Sequence, residues 1–421
     1  MTYEFEYLMH LLSCGASGVA PQPPRQPVNH DRLIQLAHEQ SVLPIIGTAL
    51  ANAKNIGFPI EKAQALAAKT RSLALTNYMK KGLVLKLLND LEEAGIQAVL
   101  LKGFALADLY AEPDCRVSSD TDIYIDIKDE KKAYKLLRER GCKVYPRTSH
   151  NHHAVCEHPQ MGYIELHVSL YNEFIEFIWS SKIDEQLFKT ENDELCKTDA
   201  FFYHTLGITD NLIYLALHMV KHFINDRTNL RQMMDFALYL QRYQARIDSK
   251  RFWFILESLK CRKLINTILS AMVSLCDCAY MSLDGFDKAE EHEIIMLITD
   301  LESNGSVNGS EAKRRNNAFR MYSRSICLEK NTLFSYRRQM IKVYVIDCIN
   351  ALFPPLKVMK NQYPYLRKMI WLAPIAWFQY MSTRFRGLFR RIFGAGIAVE
   401  QNQDMHERVD RFQLFKLMRM L

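Results

Sequence analysis

Ala98-Val-Leu-Leu-Lys102-Gly103-Phe104, followed by Arg116-Val-Ser118-Ser119-Asp120-Thr-Asp122-Ile-Tyr-Ile125, is the stretch that decides the fold. Its first part reads as a short strand, Ile96–Leu101, closed by Lys102-Gly103 and continued by a helix over Phe104–Tyr110. A glycine in such a turn lets the backbone approach a ligand, and the first N–H groups of the helix are open to an anion such as phosphate. The second part, Thr121–Ile127, alternates with period two. Asp120 and Asp122 then project from one face, about 6–7 Å apart along the chain. Two carboxylates so placed repel unless a cation joins them. Hard divalent ions take oxygen ligands and share them with substrate phosphates. Asp126 falls on the same face two steps further on, too far to share the ion, and caps the helix that follows.

A site that clamps attacking and leaving oxygens between two metals needs a third acid. Glu165, in Gly162-Tyr-Ile-Glu165-Leu-His167-Val, is the best placed. It alternates with Ile164, Leu166 and Val168, so it stands on the face opposite to them, and His167 shares its side. It is suited to hold the second metal or to take a proton from an acceptor hydroxyl. Taken singly, each of these acids is most simply a solvated group on a surface strand. The order of the elements is what points to chemistry: strand, Lys-Gly turn, helix, Asp-x-Asp strand, then an apolar strand with one acid.

Around this segment the pattern changes twice. Residues 1–14 read as an amphipathic helix. Pro21–Pro27 is a stiff connector, and 30–53 and 60–94 show apolar spacing near 3.6, with Gly95 as the stop. Asp129–Arg140 is helical and ends at Gly141. Cys142–Tyr145, His152–Glu157 and Tyr163–Ser169 read as further strands. From Thr209 onward the signal is helical, starting with Asn211–Ile224 behind Thr209 or Asp210 as cap. Glu302–Arg315 is the best linker. The expected architecture is α+β. A helical segment (1–94) precedes a small mixed-sheet α/β domain (95–205). A helical domain packing on the site (206–301) and a basic helical region (316–421) follow.

The composition, 48% hydrophobic and 24% charged over 421 residues, is that of a globular protein and excludes a disordered, collagen-like or disulfide-stapled chain. The ten cysteines form no CxxC pair and read as reduced thiols, consistent with a cytoplasmic location. The N-terminus carries Glu4 and Glu6 but no early Lys or Arg, the wrong charge for a leader. Met369–Met381 is too short to span a bilayer. Residues 311–400 hold 17 Lys and Arg against 4 Asp and Glu. Their Arg384–Phe393 stretch has a basic amphipathic pattern, suited to an anionic membrane surface at the inner face or to RNA. A helical domain with solvated basic residues is the plainer alternative. His218 and His222 lie at i, i+4 on one helix face, a spacing that can bind zinc. The alternative is a helix packed against the active site, with His218, Arg231 and Asp235 supporting it or touching substrate. Of the clustered histidines, His150, His152 and His153 fit a hairpin near the site.

The segment Leu100–Ile127 resembles the nucleotidyltransferase fold superfamily. More closely it resembles a bacterial family of uncharacterised nucleotidyltransferases. That family's Leu-Lys-Gly, Tyr, Arg and Asp-x-Asp elements are matched by Leu101-Lys102-Gly103, Tyr110, Arg116 and Asp120-Thr-Asp122. Its acid-Leu-His element is matched by Glu165-Leu166-His167. Sixteen residues separate Gly103 from Asp120, more than the wider superfamily's short gap, and its usual Gly-Ser pair is Lys-Gly here. The resemblance implies transfer of an NMP from an NTP to an acceptor hydroxyl with Mg²⁺ or Mn²⁺. Asp120, Asp122 and Glu165 would be the metal-binding, catalytic residues. Lys102, Gly103, Arg116 and Ser119 would meet the nucleotide. The acceptor, whether sugar, small molecule, protein or tRNA, is left open. The rival from another class is a non-catalytic scaffold of the same fold that docks on membrane or RNA through its basic C-terminal region.

Overall fold

The computed structural model describes residues 1–51, 53, 57–147, 153–170, 194–197, 202–225, 228–276, 283–303, 363–367 and 369–379. The helices α1 (Tyr3–Ser17), α2 (His30–Glu39) and α3 (Leu43–Ala51) open the chain, and the 34-residue α4 (Ile60–Glu93) follows. Alternation then takes over in β1 (Ala98–Leu100) and β2 (Asp120–Ile125). After them come α5 (Glu130–Glu139), β3 (Lys143–Tyr145), β4 (His153–His158), β5 (Gly162–His167), β6 (Glu194–Lys197) and β7 (Phe202–Thr205). The helices α6 (Ile208–Asn225), α7 (Leu230–Tyr243), α8 (Ser249–Ser258), α9 (Arg262–Leu275) and α10 (Glu291–Ser303) complete this part of the chain.

The seven strands form one mixed sheet in the order β3-β4-β5-β2-β1-β7-β6. β2 runs parallel to β5 and antiparallel to β1, and β4 runs antiparallel to β5. Strand alternation gives the sheet two unlike faces. Ala98, Leu100, Ile123, Ile125, Ala154, Cys156, Ile164 and Leu166 turn to one side. There they are buried with Val84, Leu88 and Leu91 of α4 and Ala133 and Leu137 of α5. The other side carries Asp120, Asp122, Glu165 and His167. The sequence predicts an amphipathic helix over 1–14. In the fold α1 is longer and sunk in the core, with Phe5, Leu8, Leu11 and Leu12 fully buried.

Three expectations are corrected. The periodic stretch 30–53 is two helices, not one, because Ser41 adopts a positive φ of 60° between them. Phe104–Tyr110 is a 3-10 segment over Gly103–Leu109 rather than an α-helix, and Lys102 (φ 20°) and Gly103 (φ 58°) bend the chain into it. The helix expected from Asn211 starts earlier, at Ile208, and Asp210 lies inside its first turn, accepting from Arg251 Nη2 at 2.5 Å. Asp126 does cap a short 3-10 turn, accepting from the Lys128 amide at 2.9 Å.

The chain divides into two units, Met1–Val307 and Asn308–Leu417, with the boundary inside the polar stretch Glu302–Arg315. In the second unit, Leu366, Ala373 and Ala376 form a small buried cluster with Tyr363, Tyr365 and Trp377 against it. Arg384–Phe393, His150 and His152 lie outside the described residues. Among the described residues no helix is long and apolar enough to cross a membrane.

Candidate active site

The sheet ladder assembles the acids. Asp122 and Glu165 are direct partners across the parallel pair β2·β5, and Asp120 pairs with Tyr163 one pleat earlier. Paired residues share a face, so the register alone brings these carboxylates together. Oxygens of Asp120, Asp122 and Glu165 lie within 4.8 Å of one another. Asp122 is buried at 3% exposure, while Glu165 keeps 29%. A buried carboxylate needs partners. Lys102 Nζ lies 3.1 Å from Asp122 Oδ2, and His167 Nε2 lies 3.1 Å from Asp122 Oδ1 and 3.4 Å from Glu165 Oε2. Burial opposes ionisation of Asp122, but the Lys102 ammonium and the His167 bond outweigh it and hold the carboxyl well below its usual range. Burial likewise opposes charge on His167, and its bonds to Asp122 and Glu165 overcome that and raise its pKa.

Two helices cover this face. Lys102 Nζ is 3.3 Å from His218 Nε2 on α6, so a neutral His218 accepts a hydrogen bond from the lysine. Burial, then the neighbouring Lys102, push His218 well below its ordinary range. From α7, Asp235 reaches the segment before β2. It accepts from Arg116 Nε at 3.0 Å, from Arg116 Nη2, and from the Tyr110 hydroxyl at 2.8 Å. Arg116 is only 3% exposed, and its Nη1 is buried without a partner among the described residues. Arg231 donates through Nη1 to the Val117 carbonyl at 2.8 Å, and its Nε is buried and unpartnered among the described residues. Ser118 and Ser119 hydroxyls donate to Asp120 Oδ1 at 3.4 and 3.2 Å.

Two adjoining cavities result. One is lined by Lys102, Asp120, Asp122, Glu165 and His167. The other is lined by Lys102, Arg116, Ser119, Asp120, Arg231 and Asp235. His218 and His222 line both. The arrangement thus joins an acidic, cation-seeking pocket to one with three basic side chains. A Cβ at Gly103 (φ 58°) would lie 3.9 Å from Ser118 Oγ, so its positive φ, rather than crowding, favours glycine there.

Some of these residues are not singled out by the sequence reading. Lys80 on α4 is buried, and its Nζ lies 3.3 and 3.4 Å from the Ser118 and Ser119 carbonyls. Burial depresses its pKa against the pull of Asp120 and Asp122. Asn77, one turn earlier, donates to the Asp114 and Arg116 carbonyls. The signal is present in the chain: Asn77 and Lys80 continue the apolar stripe of Val84, Leu88 and Leu91. A polar residue on a buried stripe needs a buried partner.

No curated protein matches the chain. The solution structure of the antibiotic-resistance factor ANT(2″)-Ia is 9% identical with a TM-score of 0.33, covering 45% of this chain and 95% of that one. The crystal structure of an antigenic nucleotidyltransferase-like protein from Paracoccidioides brasiliensis is 14% identical with a TM-score of 0.30, covering 47% of this chain and 93% of that one. Both are too distant to transfer any property. Residues 26–276 match the model of a family described as uncharacterised nucleotidyltransferase, a span that holds the whole acidic pocket and the helices over it. The chain belongs to that uncharacterised nucleotidyltransferase family, and its enzyme class is nucleotidyltransferase.

Proposed function

We propose that the protein transfers an NMP from an NTP to a hydroxyl of an acceptor, with release of pyrophosphate. The observation that carries this is the triad Asp120, Asp122 and Glu165, with oxygens within 4.8 Å, opening beside a cavity lined by Lys102, Arg116 and Arg231. The all-oxygen donor set fits a hard divalent ion such as Mg²⁺ or Mn²⁺, and these three residues would hold it. When bound, the ion supplies charge neutralisation at the reacting phosphoryl oxygens.

The chain's own groups do the rest. The acceptor oxygen forms the new bond to the α-phosphorus, the α–β bridging bond breaks, and pyrophosphate leaves with that electron pair. Glu165, the more exposed partner of Asp122, takes the hydroxyl proton. Lys102, the Gly103 turn, Ser119 and the free edges of Arg116 and Arg231 face the triphosphate. Donors already fixed where charge develops lower the barrier without reorganising. His167 holds the two carboxylates, and His218 holds Lys102. Asp235 fixes Arg116 as a positioning residue. The acceptor hydroxyl belongs to a sugar, small molecule, protein or tRNA. A peripheral contact of the basic 311–400 region with anionic membrane or RNA belongs to the same proposal, as does a cytoplasmic location. The three clustered acids beside a basic cavity favour this reading over a scaffold without chemistry.

The test is pyrophosphate release from each of the four NTPs with Mg²⁺ or Mn²⁺, with and without cell extract, for wild type, Asp120→Asn and Asp122→Asn. Release that needs metal, extract and both aspartates is expected. Metal-independent release, or turnover that survives both substitutions, overturns the proposal.

A further inference from the structure

Glu165 and His167 belong also to a second cluster, completed by His153, which the transfer reaction does not use. β4 and β5 are antiparallel, and their register sets His153 directly opposite His167. Glu165 stands two residues before His167 on the same face. Single donor atoms of His153, Glu165 and His167 all fall within 4.8 Å of one another. His167 Nε2 is 3.4 Å and His153 Nε2 is 3.8 Å from Glu165 Oε2. Two ligands bound at about 2.1 Å in tetrahedral geometry lie roughly 3.4 Å apart, so the cluster is close to ligating distance before any ion draws it in. The two imidazole rings are 5.1 Å apart between centroids and tilted at 43°, with no stacking that an ion would have to break.

The donor chemistry differs from that of the acid triad. Asp120, Asp122 and Glu165 offer oxygen alone, whereas His153, Glu165 and His167 offer two imidazole nitrogens and one carboxylate. Imidazole favours borderline transition ions over Mg²⁺. Two histidines and one carboxylate leave a position open on a tetrahedral ion. His153 is 23% and Glu165 29% exposed, which gives an ion a way in, while His167 is 4% exposed and fixes the inner side. The contact of His167 Nε2 with Asp122 Oδ1 at 3.1 Å would be given up to the ion.

We infer that His153, Glu165 and His167 form a second cation site, selective for a transition ion of the Zn²⁺ class and sharing Glu165 with the acid triad. The two sites would have the Glu165 carboxylate in common. The second also takes His167 from the contacts that hold the catalytic carboxylates, and His153 is its own; an ion can bind there whether or not nucleotidyl transfer occurs.

The test is calorimetric titration of metal-stripped full-length protein with Zn²⁺, without nucleotide, and with Co²⁺ absorption as a readout of nitrogen ligation. Wild type is expected to take one Zn²⁺ per chain. His153→Gln, which alters a partly exposed position, should weaken binding about tenfold or more, since loss of even an outer-shell partner of a metal ligand costs that much. Asp120→Asn and the double variant His218→Gln/His222→Gln should leave Zn²⁺ affinity within about twofold. The assignment is overturned if wild type takes no Zn²⁺, if His153→Gln binds as wild type does, or if Asp120→Asn or the helix-histidine variant loses the ion instead. Mg²⁺-dependent ATP binding, measured on the same proteins, reports the catalytic reading separately: His153→Gln should keep it and Asp122→Asn should lose it.

Discussion

Asp235 on α7 grips Arg116 through both its Nε and Nη2, across 119 residues of sequence, and both side chains are almost wholly buried. This pair ties the helical cover to the segment that leads into β2. It also leaves Arg116 Nη1 without a partner among the described residues, in a side chain that lines the basic cavity.

Removing one partner of such a pair strands a buried charge. Asp235→Ala is expected to cost about 3–5 kcal/mol of stability. The double variant Arg116→Met/Asp235→Leu should recover much of that, because an apolar pair of similar volume leaves no charge unpaired. Urea unfolding of the three proteins checks both statements. Equal losses in the single and double variants would show that the pair's charge is not what matters.

Lys102 Nζ lies 3.1 Å from Asp122 Oδ2, where it would compete with a cation for that oxygen. Lys102→Met should therefore tighten Mn²⁺ binding by the nucleotide-free protein and weaken NTP binding. A change of about 1.4 kcal/mol in each corresponds to roughly tenfold in affinity. Calorimetry with Mn²⁺ alone and with an NTP reads the two effects. Weaker binding of both would mean that the lysine supports the acids rather than competing for them.

Burial, with Lys102 next, pushes His222 down to about 3 and His218 well below its ordinary range. The unfolded chain then takes up protons between about pH 6.5 and pH 3 that the folded chain refuses. The contribution of His222 is fully present above pH 6.5 and is lost on acidification through that window, by up to about 1.4 kcal/mol per pH unit, and His218 acts in the same direction. Tm should fall more steeply between pH 7 and pH 5 in wild type than in His222→Gln. Parallel slopes would contradict the neutral state of this half-buried histidine.

Gly15 on α1 packs against the main chain of Ile45, and a Cβ there would overlap the Ile45 carbonyl. Gly15→Ala is expected to destabilise by about 1–3 kcal/mol, although alanine is the better helix former. Thermal unfolding would show it. A gain in stability would mean that α1 and α3 are free to move apart.

The acid pair, the third acid and their shared face are legible in the chain because strand alternation is a strict two-residue code. Glu165 could be chosen as the third acid on residue pattern alone, although its place directly opposite Asp122 comes from the pairing of β2 with β5. The capping role of Asp126 and the stop at Gly95 follow equally local rules. What the pattern does not carry is strand order. Nothing near His153 says that β4 turns back along β5 to meet His167, and nothing near Arg116 points to Asp235. Ser41 breaks a helix by adopting a positive φ that its residue type seldom takes. The Lys102 bend likewise depends on its surroundings, and it turns an expected α-helix into a 3-10 segment.

The parallel ladder of β2 and β5 has one more consequence. Because backbone hydrogen bonds, not mobile loops, set Asp122 opposite Glu165, the freedom these two carboxylates would otherwise lose on gathering is surrendered once, when the chain folds. Binding then has little ordering left to do, and the region around the acids can change its choice of acceptor without rebuilding the centre.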